Sequence, residues 1–414
     1  MNGANRFVGS FRREARRIAS DRGALLVLFG AVVIYAFFYP IPYVPQILRD
    51  VPIAVVDLDG TALSRRLVRF ADASELLRVA VRPVTEPEAE DAIRTGRVCG
   101  ALVIPRGFQR DVMRGGRVTV GAYGDASYFL IYRQVMTGVV QATGTLSAGI
   151  EIRQLRAGGA MEAQARAARD PVRLQVRSLY NPSGGYATYV VPAVLILILQ
   201  QTLLIGIGML GGTAREENGA RGSGVMKAGA AEVGSGQGHT SAARGGECGV
   251  VSLLGRAAAY FILYMLHILF YLFVVYHVYR FPQRGCTPEV LLFLTPFVLA
   301  VVLLGVTLCA LFPRRETAMQ VLLFTSIPAV FLSGFSFPFE SIPRALRVVA
   351  YLFPSTAGIR GFLRANQMGA DLHAIRYEWW ILWGLCAVYF AAAYLTSRSA
   401  PEFGGDAGRR QASS

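Results

Sequence analysis

Lysine is almost absent from this chain. Of the 42 basic residues, only Lys227 is a lysine. The phosphate-binding loop of nucleotide hydrolases needs a lysine between glycine and serine or threonine, but Lys227 stands between Met226 and Ala228. We therefore expect no ATP or other cofactor on this chain, and a partner must supply the energy for any driven work.

Cysteine pairs are missing as well. The five cysteines are scattered, and no two of them form a Cys-x-x-Cys pair, so neither a disulfide framework nor a metal cluster is readable. The net charge of +15 would suit nucleic acid. Many arginines flank apolar stretches, however, as they do in membrane proteins, so no nucleic-acid partner is expected.

Charged residues make up only 17% of the chain, and six long stretches contain none. Each stretch is long enough to cross about 30 Å of hydrocarbon as a helix. The sequence therefore predicts a polytopic α-helical membrane protein, six transmembrane helices in membrane lipid, with an α/β extracytoplasmic domain between helices 1 and 2. The charge-free stretches are Gly23–Leu48, Tyr186–Ala214, Ala257–Tyr279, Val290–Pro313, Thr317–Phe339 and Trp379–Ser397.

The arginines predict the orientation of these helices. An arginine-rich arm precedes the first helix, Arg314 and Arg315 follow the fourth, and Arg409 and Arg410 lie in the tail. Positive residues gather on the cytoplasmic side, so both termini are expected there. Arginines between the last two helices break this rule, and we expect interfacial helices whose arginines face water or lipid head groups.

The predicted organisation alternates membrane-spanning and water-exposed segments. The loop between the second and third helices is Gly-rich and lacks apolar periodicity, which is typical of a flexible segment. The segments are a cytoplasmic amphipathic arm (1–22), transmembrane helix 1 (23–44), the extracytoplasmic α/β domain with a long helix (45–185), transmembrane helix 2 (186–211), the Gly-rich cytoplasmic loop (212–256), transmembrane helices 3–6 with external interfacial helices at 338–377 (257–397), and a cytoplasmic tail (398–414).

Apolar runs alternate with helical patterns in the extracytoplasmic domain and predict its α/β fold. The long helix carries a stripe of apolar and small residues, which we expect to pack on the domain core. A partner or a second copy is the alternative. Strands are expected at 51–56, 76–81, 99–104 and 117–123, and helices at 61–71, 86–97 and 127–155.

The most enzyme-like pattern is Asp57–Thr61, an Asp-x-Asp-Gly-Thr segment after an apolar strand. It resembles the first motif of haloacid-dehalogenase-type phosphatases, in which the first aspartate is a nucleophile and magnesium neutralises phosphate. Such sites also need a lysine and a later acidic pair, which this domain does not supply. We prefer a strand-to-helix turn in which Asp59 or Thr61 caps the next helix.

No Asp, Glu, Lys or Arg lies near the centre of a predicted span. This argues against a carrier driven by protons or sodium ions, because such carriers commonly hold charges there. The polar residues in the spans include Gln200, Gln201, His267 and His277. A polar path or proton relay is one interpretation, and packing with interhelical hydrogen bonds is the simpler one.

Several short motifs follow one another along the chain in a fixed order. Together with the order of arm, first span, large domain and five further spans, they resemble the permease subunit of type-2 ABC exporters, in the drug-exporter-like branch with a large external domain. The resemblance covers nearly the whole chain. The motifs are Asp57–Ser64, Tyr180-Asn181-Pro182, Arg215-Glu216-Glu217, the Ser333–Pro338 segment, Ile342-Pro343 and Pro354-Ser355-Thr356.

The resemblance implies a transport subunit and not an enzyme. Two permease chains, as a homodimer or heterodimer, would work with two ABC ATPase subunits that hold the ATP. They would move a lipophilic or amphipathic substrate out across a bacterial inner membrane, as in multidrug efflux. The external domain would guide the substrate or contact a periplasmic adaptor protein.

The resemblance also assigns residues to roles. Coupling to the ATPase is expected at Arg215, Glu216 and Glu217, and at the turn formed by Arg314, Arg315 and Glu316. The external loop motif comprises Gly334, Phe335, Pro338, Pro354 and Thr356.

One departure from the family pattern follows Glu217, where relatives usually continue as a helix. Here residues 218–249 are rich in glycine, and each glycine costs a helix roughly 1 kcal/mol. The coupling helix is therefore expected to be short, displaced or absent. This favours an alternative of another class: a non-transporting membrane protein whose external domain binds a partner, as a receptor or secretion accessory.

Overall fold

Two compact units make up the structure. The inserted domain is Pro45–Ser178, and the helical unit combines Met1–Val44 with Leu179–Ser414. The inserted domain thus follows the first predicted transmembrane helix in the chain. The structure is a computed structural model and describes residues 3–169, 177–181, 184–228 and 245–399 of the 414.

Helices predominate among the described residues. A π-helical turn joins the second helix to the third, and another joins the tenth to the eleventh. In chain order the helices are α1 (Gly3–Ser20), α2 (Arg22–Leu25), α3 (Val32–Phe38), α4 (Ala62–Asp72), α5 (Glu86–Arg94), α6 (Phe108–Met113), α7 (Phe129–Ala157), α8 (Glu162–Arg169), α9 (Tyr186–Ala228), α10 (Gly245–Phe270), α11 (Tyr276–Tyr279), α12 (Thr287–Cys309), α13 (Arg315–Phe324), α14 (Ser326–Leu332), α15 (Arg344–Tyr351), α16 (Pro354–Phe362) and α17 (Arg376–Ser399).

A four-stranded sheet forms the centre of the inserted domain. Its strands are β1 (Val51–Asp57), β2 (Leu77–Val81), β3 (Gly100–Ile104) and β4 (Gly121–Gly124). The order is β2-β1-β3-β4; β1 is parallel to β2 and β3, and β4 is antiparallel to β3. The predicted strand at 117–123 is shorter than expected and shifted towards the C-terminus, as β4.

Helices cover both faces of the sheet. One face packs against α4 and α7, with Leu67 and Val139 in its core, and the other packs against α5 through Ala89. Gly138 of α7 lies directly against Leu77, where a side chain would collide. The middle of the long helix therefore packs on the domain core, as the first interpretation of its stripe predicts.

Five described helical segments of the helical unit are long and apolar enough to cross a membrane. Their facing side chains form one continuous apolar core, as the charge-free stretches predict. They match the predicted spans one to four and six. The segments are Arg22–Tyr43, Tyr186–Glu217, Gly249–Tyr279, Thr287–Cys309 and Arg376–Thr396.

The predicted fifth span, Thr317–Phe339, is not one continuous helix. It is divided into α13 and α14, which meet at Thr325. The hydroxyl groups of Thr325 and Ser326 donate hydrogen bonds to the carbonyls of Leu322 and Leu323 at 2.7 and 2.6 Å. Pro328 has no N–H to donate to the preceding turn, so the helix is interrupted here.

The predicted Gly-rich loop, 212–256, is helical over much of its length. Helix α9 continues to Ala228, and α10 begins at Gly245; residues 229–244 lie outside the described residues. Glycine lowers the helix propensity of this stretch, but the preceding half of α9 is buried and already helical. Extending an existing helix avoids the unfavourable nucleation step, which the propensity argument did not weigh.

The predicted interfacial helices at 338–377 correspond to α15 and α16, and these differ from each other. Helix α15 exposes Arg344, as expected of a helix at an interface, and Arg347 is half-buried. Helix α16 is buried, with Gly358 and Gly361 packed against phenylalanine rings of α12. Its small side chains let it approach α12 closely, so the interfacial prediction is wrong for α16. The tail from 400 onward lies outside the described residues.

Candidate functional site

Three of the six predicted coupling residues meet at one end of the helical unit. The backbone N–H of Arg315, at the start of α13, donates to the Glu216 carboxylate at 3.1 Å. The guanidinium of Arg215 donates to the carbonyl of Phe312 at 2.8 Å. The second span is thereby fixed to the turn that follows the fourth span.

A fourth group, Asp21, was not predicted. It stands between α1 and α2, and its two carboxylate oxygens receive both terminal nitrogens of Arg315, at 2.5 and 2.9 Å. The same carboxylate caps α2 by accepting the backbone N–H of Ala24 at 2.9 Å. A two-point, charge-assisted contact of this kind fixes both position and orientation. We call Asp21, Thr213, Arg215, Glu216 and Arg315 the Arg315 cluster.

The charge state of the Arg315 cluster follows from this geometry. The hydrogen bond from Arg315 is the main reason that the pKa of Asp21 lies below its usual value, and partial burial acts in the opposite direction. The carboxylate is therefore ionised at neutral pH. The pair is partly sheltered, since the side chain of Asp21 is 16% exposed and that of Arg315 30%.

Two glycines allow the helix ends to approach. A Cβ on Gly23 would collide with the Arg315 guanidinium, and a Cβ on Gly212 would collide with the backbone of Arg314 and Arg315. Thr213 adds a longer contact to the guanidinium at 3.4 Å. The first and second spans thus lie against the start of α13.

The other predicted coupling residues stay at the surface. Glu217, Arg314 and Glu316 are exposed, and within the described residues none of their side chains has an ion-pair partner. In sequence, Glu217 follows Glu216, and Arg314 and Glu316 flank Arg315, so all three adjoin members of the Arg315 cluster. Their charges are therefore free to meet another protein.

The N-terminal arm is fixed by a second polar contact that the sequence did not reveal. Glu14 of α1 is buried; it accepts a hydrogen bond from the Tyr260 hydroxyl at 2.7 Å and lies 3.5 Å from Arg256. Gly255 gives α1 room, because a Cβ there would meet the backbone of Phe7. A signal existed, since Glu14 and Asp21 are the only acids in the first 49 residues.

The external loop motif forms a packed structural corner. Gly334 has a left-handed backbone, φ +81°, with Phe339 directly against it. The carbonyl of Phe335 accepts a hydrogen bond from Tyr189. Pro338 precedes a short turn that begins at Phe339. Each residue shapes or holds the backbone, and none is presented to a ligand by these contacts.

The second part of that motif is fixed to the centre of the second span. Pro354 begins α16, and the hydroxyl of Thr356 donates to the Ala350 carbonyl at 2.7 Å. The backbone N–H of Ser355 donates to the side-chain oxygen of Gln200 at 2.7 Å. Gln200 therefore makes an interhelical hydrogen bond, the simpler of the two interpretations of its position.

The phosphatase-like segment is a capped turn. Asp57 accepts the Ser64 hydroxyl at 2.7 Å, and the Thr61 hydroxyl caps α4. Asp59 accepts the backbone N–H of Gln109 at 3.0 Å, so it fills the start of α6 where an anion would otherwise bind. Burial raises the pKa of Asp59, but hydrogen bonds from the Thr61 hydroxyl and from backbone N–H groups lower it by more. The pKa of Asp59 therefore lies below its usual value. The described residues contain no cluster able to hold a metal ion.

In comparison with known proteins, one family model matches most of the chain. The model of the ABC-2 family transporter proteins matches residues 22–227 and 250–395. Two inner membrane transport permeases named YhhJ, from Escherichia coli (strain K12) and Shigella flexneri, are 29% identical over 116 residues, which is 28% of this chain. The matched region spans only 30% of the length of those relatives.

Proposed function

The chain belongs to the ABC-2 family of transporter proteins, and from this premise we propose that it is the permease subunit of an ATP-driven exporter. In this proposal it spans the membrane several times and moves a lipophilic or amphipathic substrate out of the cytoplasm. The observation that carries the proposal is the Arg315 cluster, which joins the ends of the first, second and fourth spans at the positions where an ATPase would act.

A separate ABC ATPase is the proposed source of energy. The sequence has no phosphate-binding loop, since its single lysine, Lys227, stands outside any Gly-Lys-Ser/Thr pattern. The exposed charges of Glu217, Arg314 and Glu316 are suited to a soluble partner, because charged pairs at an interface select and orient it. The nucleotide would stay on that partner.

The Arg315 cluster is the proposed point of force transfer. A push on α13 would act on Asp21 through the ion pair and on Glu216 through the Arg315 backbone. The first and second spans would then move together with α13, as packed helices do when they shift between two arrangements. A second permease chain, identical or different, would supply the other half of the pathway.

The remaining assignments belong to the same proposal. Helices α13 and α14 together would form the predicted fifth span, which brings the number of crossings to six. Their break at Thr325 would lie inside the membrane. The termini and the Arg315 cluster would face the cytoplasm of a bacterium, in its inner membrane. The inserted domain would lie outside, where it would guide substrate or contact a periplasmic adaptor protein.

The alternative, a partner-binding protein that transports nothing, loses part of its support. It was favoured by the expectation that the coupling helix is short, displaced or absent in the Gly-rich stretch, whereas α9 continues to Ala228. Nothing in the described geometry favours a receptor over a permease.

The test is purification of the tagged chain from its native membrane, with mass spectrometry of the proteins that accompany it. We expect an ATPase with a phosphate-binding loop to be present, and ATP hydrolysis by the assembly in liposomes. A matched pair, Glu217→Arg and Arg82→Glu, reverses an exposed charge at the proposed contact and in the inserted domain. Only Glu217→Arg should weaken the association. A well-folded chain that never accompanies an ATPase would contradict the proposal.

A further inference from the structure

An open pocket of about 440 Å³ lies at the end of the third span, where the span passes into the loop at 280–286. Pockets of this volume are in the range that holds small ligands. Tyr276 and Leu272 form its inner wall, and His277, Arg280 and Gln283 form its rim. The wall is buried and apolar, and the rim is exposed and polar.

The rim is positively charged and has no acid of its own. The loop at 280–286 contains Arg280 and Arg284, and the next acid in the chain is Glu289. Arg284 is engaged, since its guanidinium lies 5.8 Å from the centre of the Tyr180 ring. Within the described residues the guanidinium of Arg280 has no ion pair or hydrogen bond. The pocket therefore offers an unpaired cation to a ligand.

The backbone at Arg280 does not favour an arginine. This residue ends α11 in the left-handed conformation, φ 53° and ψ 39°. Glycine adopts that conformation without steric cost, whereas a residue with a Cβ is strained. The chain thus keeps a long cationic side chain at a position where the fold alone would favour glycine.

The side chains below the rim are suited to hydrocarbon. Phe273, which lines the pocket, is 61% exposed, and Val278 of the same span is 55% exposed. Both belong to a span whose exposed apolar surface meets lipid chains in a membrane. An anion held by Arg280 would therefore have an apolar surface directly below it, which a phospholipid can cover and a free ion cannot.

We propose that this pocket binds an anionic phospholipid, with the phosphate at Arg280 and an acyl chain along Phe273. The side-chain amide of Gln283 supplies a neutral hydrogen-bond donor at the same rim. The proposal requires that the chain lies in a membrane, but it does not require an ATPase partner. Lipid binding and transport can therefore fail independently.

The experiment is native mass spectrometry of the full chain in detergent, titrated with phosphatidylglycerol and with phosphatidylcholine of the same acyl chains. We expect phosphatidylglycerol to bind more tightly by about tenfold, because both lipids carry the phosphate but phosphatidylcholine also carries a quaternary ammonium, which the positive charge of Arg280 repels. Arg280→Gly should remove that preference while leaving the thermal midpoint unchanged or raised, and Arg280→Lys should keep it. Arg82→Gly, in the inserted domain, is the matched control and should bind lipid as the parent does.

Two further measurements distinguish binding of a lipid from binding of a free anion. Phe273→Ser should weaken phosphatidylglycerol binding, and inorganic phosphate at millimolar concentration should not displace the lipid. Equal binding of the two lipids, or full retention of binding by Arg280→Gly, would overturn the proposal. Complete displacement by inorganic phosphate would overturn the assignment to a lipid.

Discussion

Arg315 and Asp21, which are 294 positions apart in the chain, are joined by two hydrogen bonds between the guanidinium and the carboxylate. Arg315 also reaches Glu216 through its backbone N–H. One residue thus holds the N-terminal arm, the first span and the second span at a single place. We expect this place both to stabilise the protein and to transmit force.

Removing one member of the Asp21–Arg315 pair should destabilise the protein by about 1–3 kcal/mol, because the other charge is left partly buried without its partner. We expect Asp21→Ala and Arg315→Ala each to lower the thermal midpoint of the purified protein. The exchange variant Asp21→Arg with Arg315→Asp should recover part of the loss, since it restores opposite charges.

The control for this pair is Arg314→Ala, which removes the neighbouring exposed charge and should leave the thermal midpoint nearly unchanged. A double-mutant cycle on Asp21→Ala and Arg315→Ala measures the coupling directly. Strictly additive losses would mean that the ion pair contributes nothing beyond its separate side chains.

The ion pair also predicts a pH dependence. The pKa of Asp21 is lowered in the folded protein, chiefly by Arg315. Its contribution to stability is therefore complete above the unfolded pKa of about 3.9 and is lost as the pH falls through the folded value. The gap in thermal midpoint between the parent and Asp21→Asn should stay constant from about pH 5 to pH 8 and close below about pH 4. A gap that closes near neutral pH would refute this assignment.

Gln200 and Gln201 are neighbours with opposite expected effects. Gln200→Leu leaves the buried N–H of Ser355 without its acceptor, which should cost about 1–3 kcal/mol. The side-chain oxygen of Gln201 is buried and has no hydrogen-bond partner within the described residues. Gln201→Leu should therefore be neutral or slightly stabilising. The comparison is made by thermal midpoint of the two purified variants, and equal losses would show that Gln200 has no special partner.

The sequence predicted the four strands and three of the helices of the inserted domain (α4, α5 and α7), because each of these is determined locally, whereas α6 and α8 were not predicted. The apolar run before Asp57 is a strand, and the Thr61 hydroxyl caps the helix after it, as that pattern indicates. The prediction of an α/β fold needed only such runs and their order. It did not require the order of the strands within the sheet.

The Arg315 cluster could be predicted only in part. Arg215, Glu216 and Arg315 were each expected, from the family resemblance, to couple to an ATPase, but the partner of Arg315 depends on tertiary structure. An acid 294 positions away cannot be found from local spacing. The scarcity of acids in the arm, where only Glu14 and Asp21 occur, is the signal that could have pointed to both contacts, but it was not used.

Two of the departures from the predictions in the helical unit come from judging segments by composition. The stretch 317–339 is apolar enough for a span, but composition does not register that Pro328 lacks an N–H and that Thr325 and Ser326 bond the preceding turn. The stretch after Glu217 is rich in glycine, but composition does not register that a buried helix already precedes it.

Helix α9 approaches the start of α13 closely at Gly212. In an open helix position, replacing glycine by alanine stabilises the helix by about 1 kcal/mol. Gly384 of α17 is such a position, since nothing lies where its Cβ would be. At Gly212 the Cβ would collide with the backbone of Arg314 and Arg315, which cannot move aside without displacing α13.

We therefore expect Gly384→Ala to raise the thermal midpoint slightly and Gly212→Ala to lower it. Because the displacement separates α13 from α9, Gly212→Ala should also reduce ATP-driven transport in an assembly that still contains its ATPase. Measuring both properties distinguishes a local clash from a broken connection. If Gly212→Ala is as stable and as active as Gly384→Ala, the contact between α9 and α13 is not where force is transmitted, and the coupling role of the Arg315 cluster falls with it.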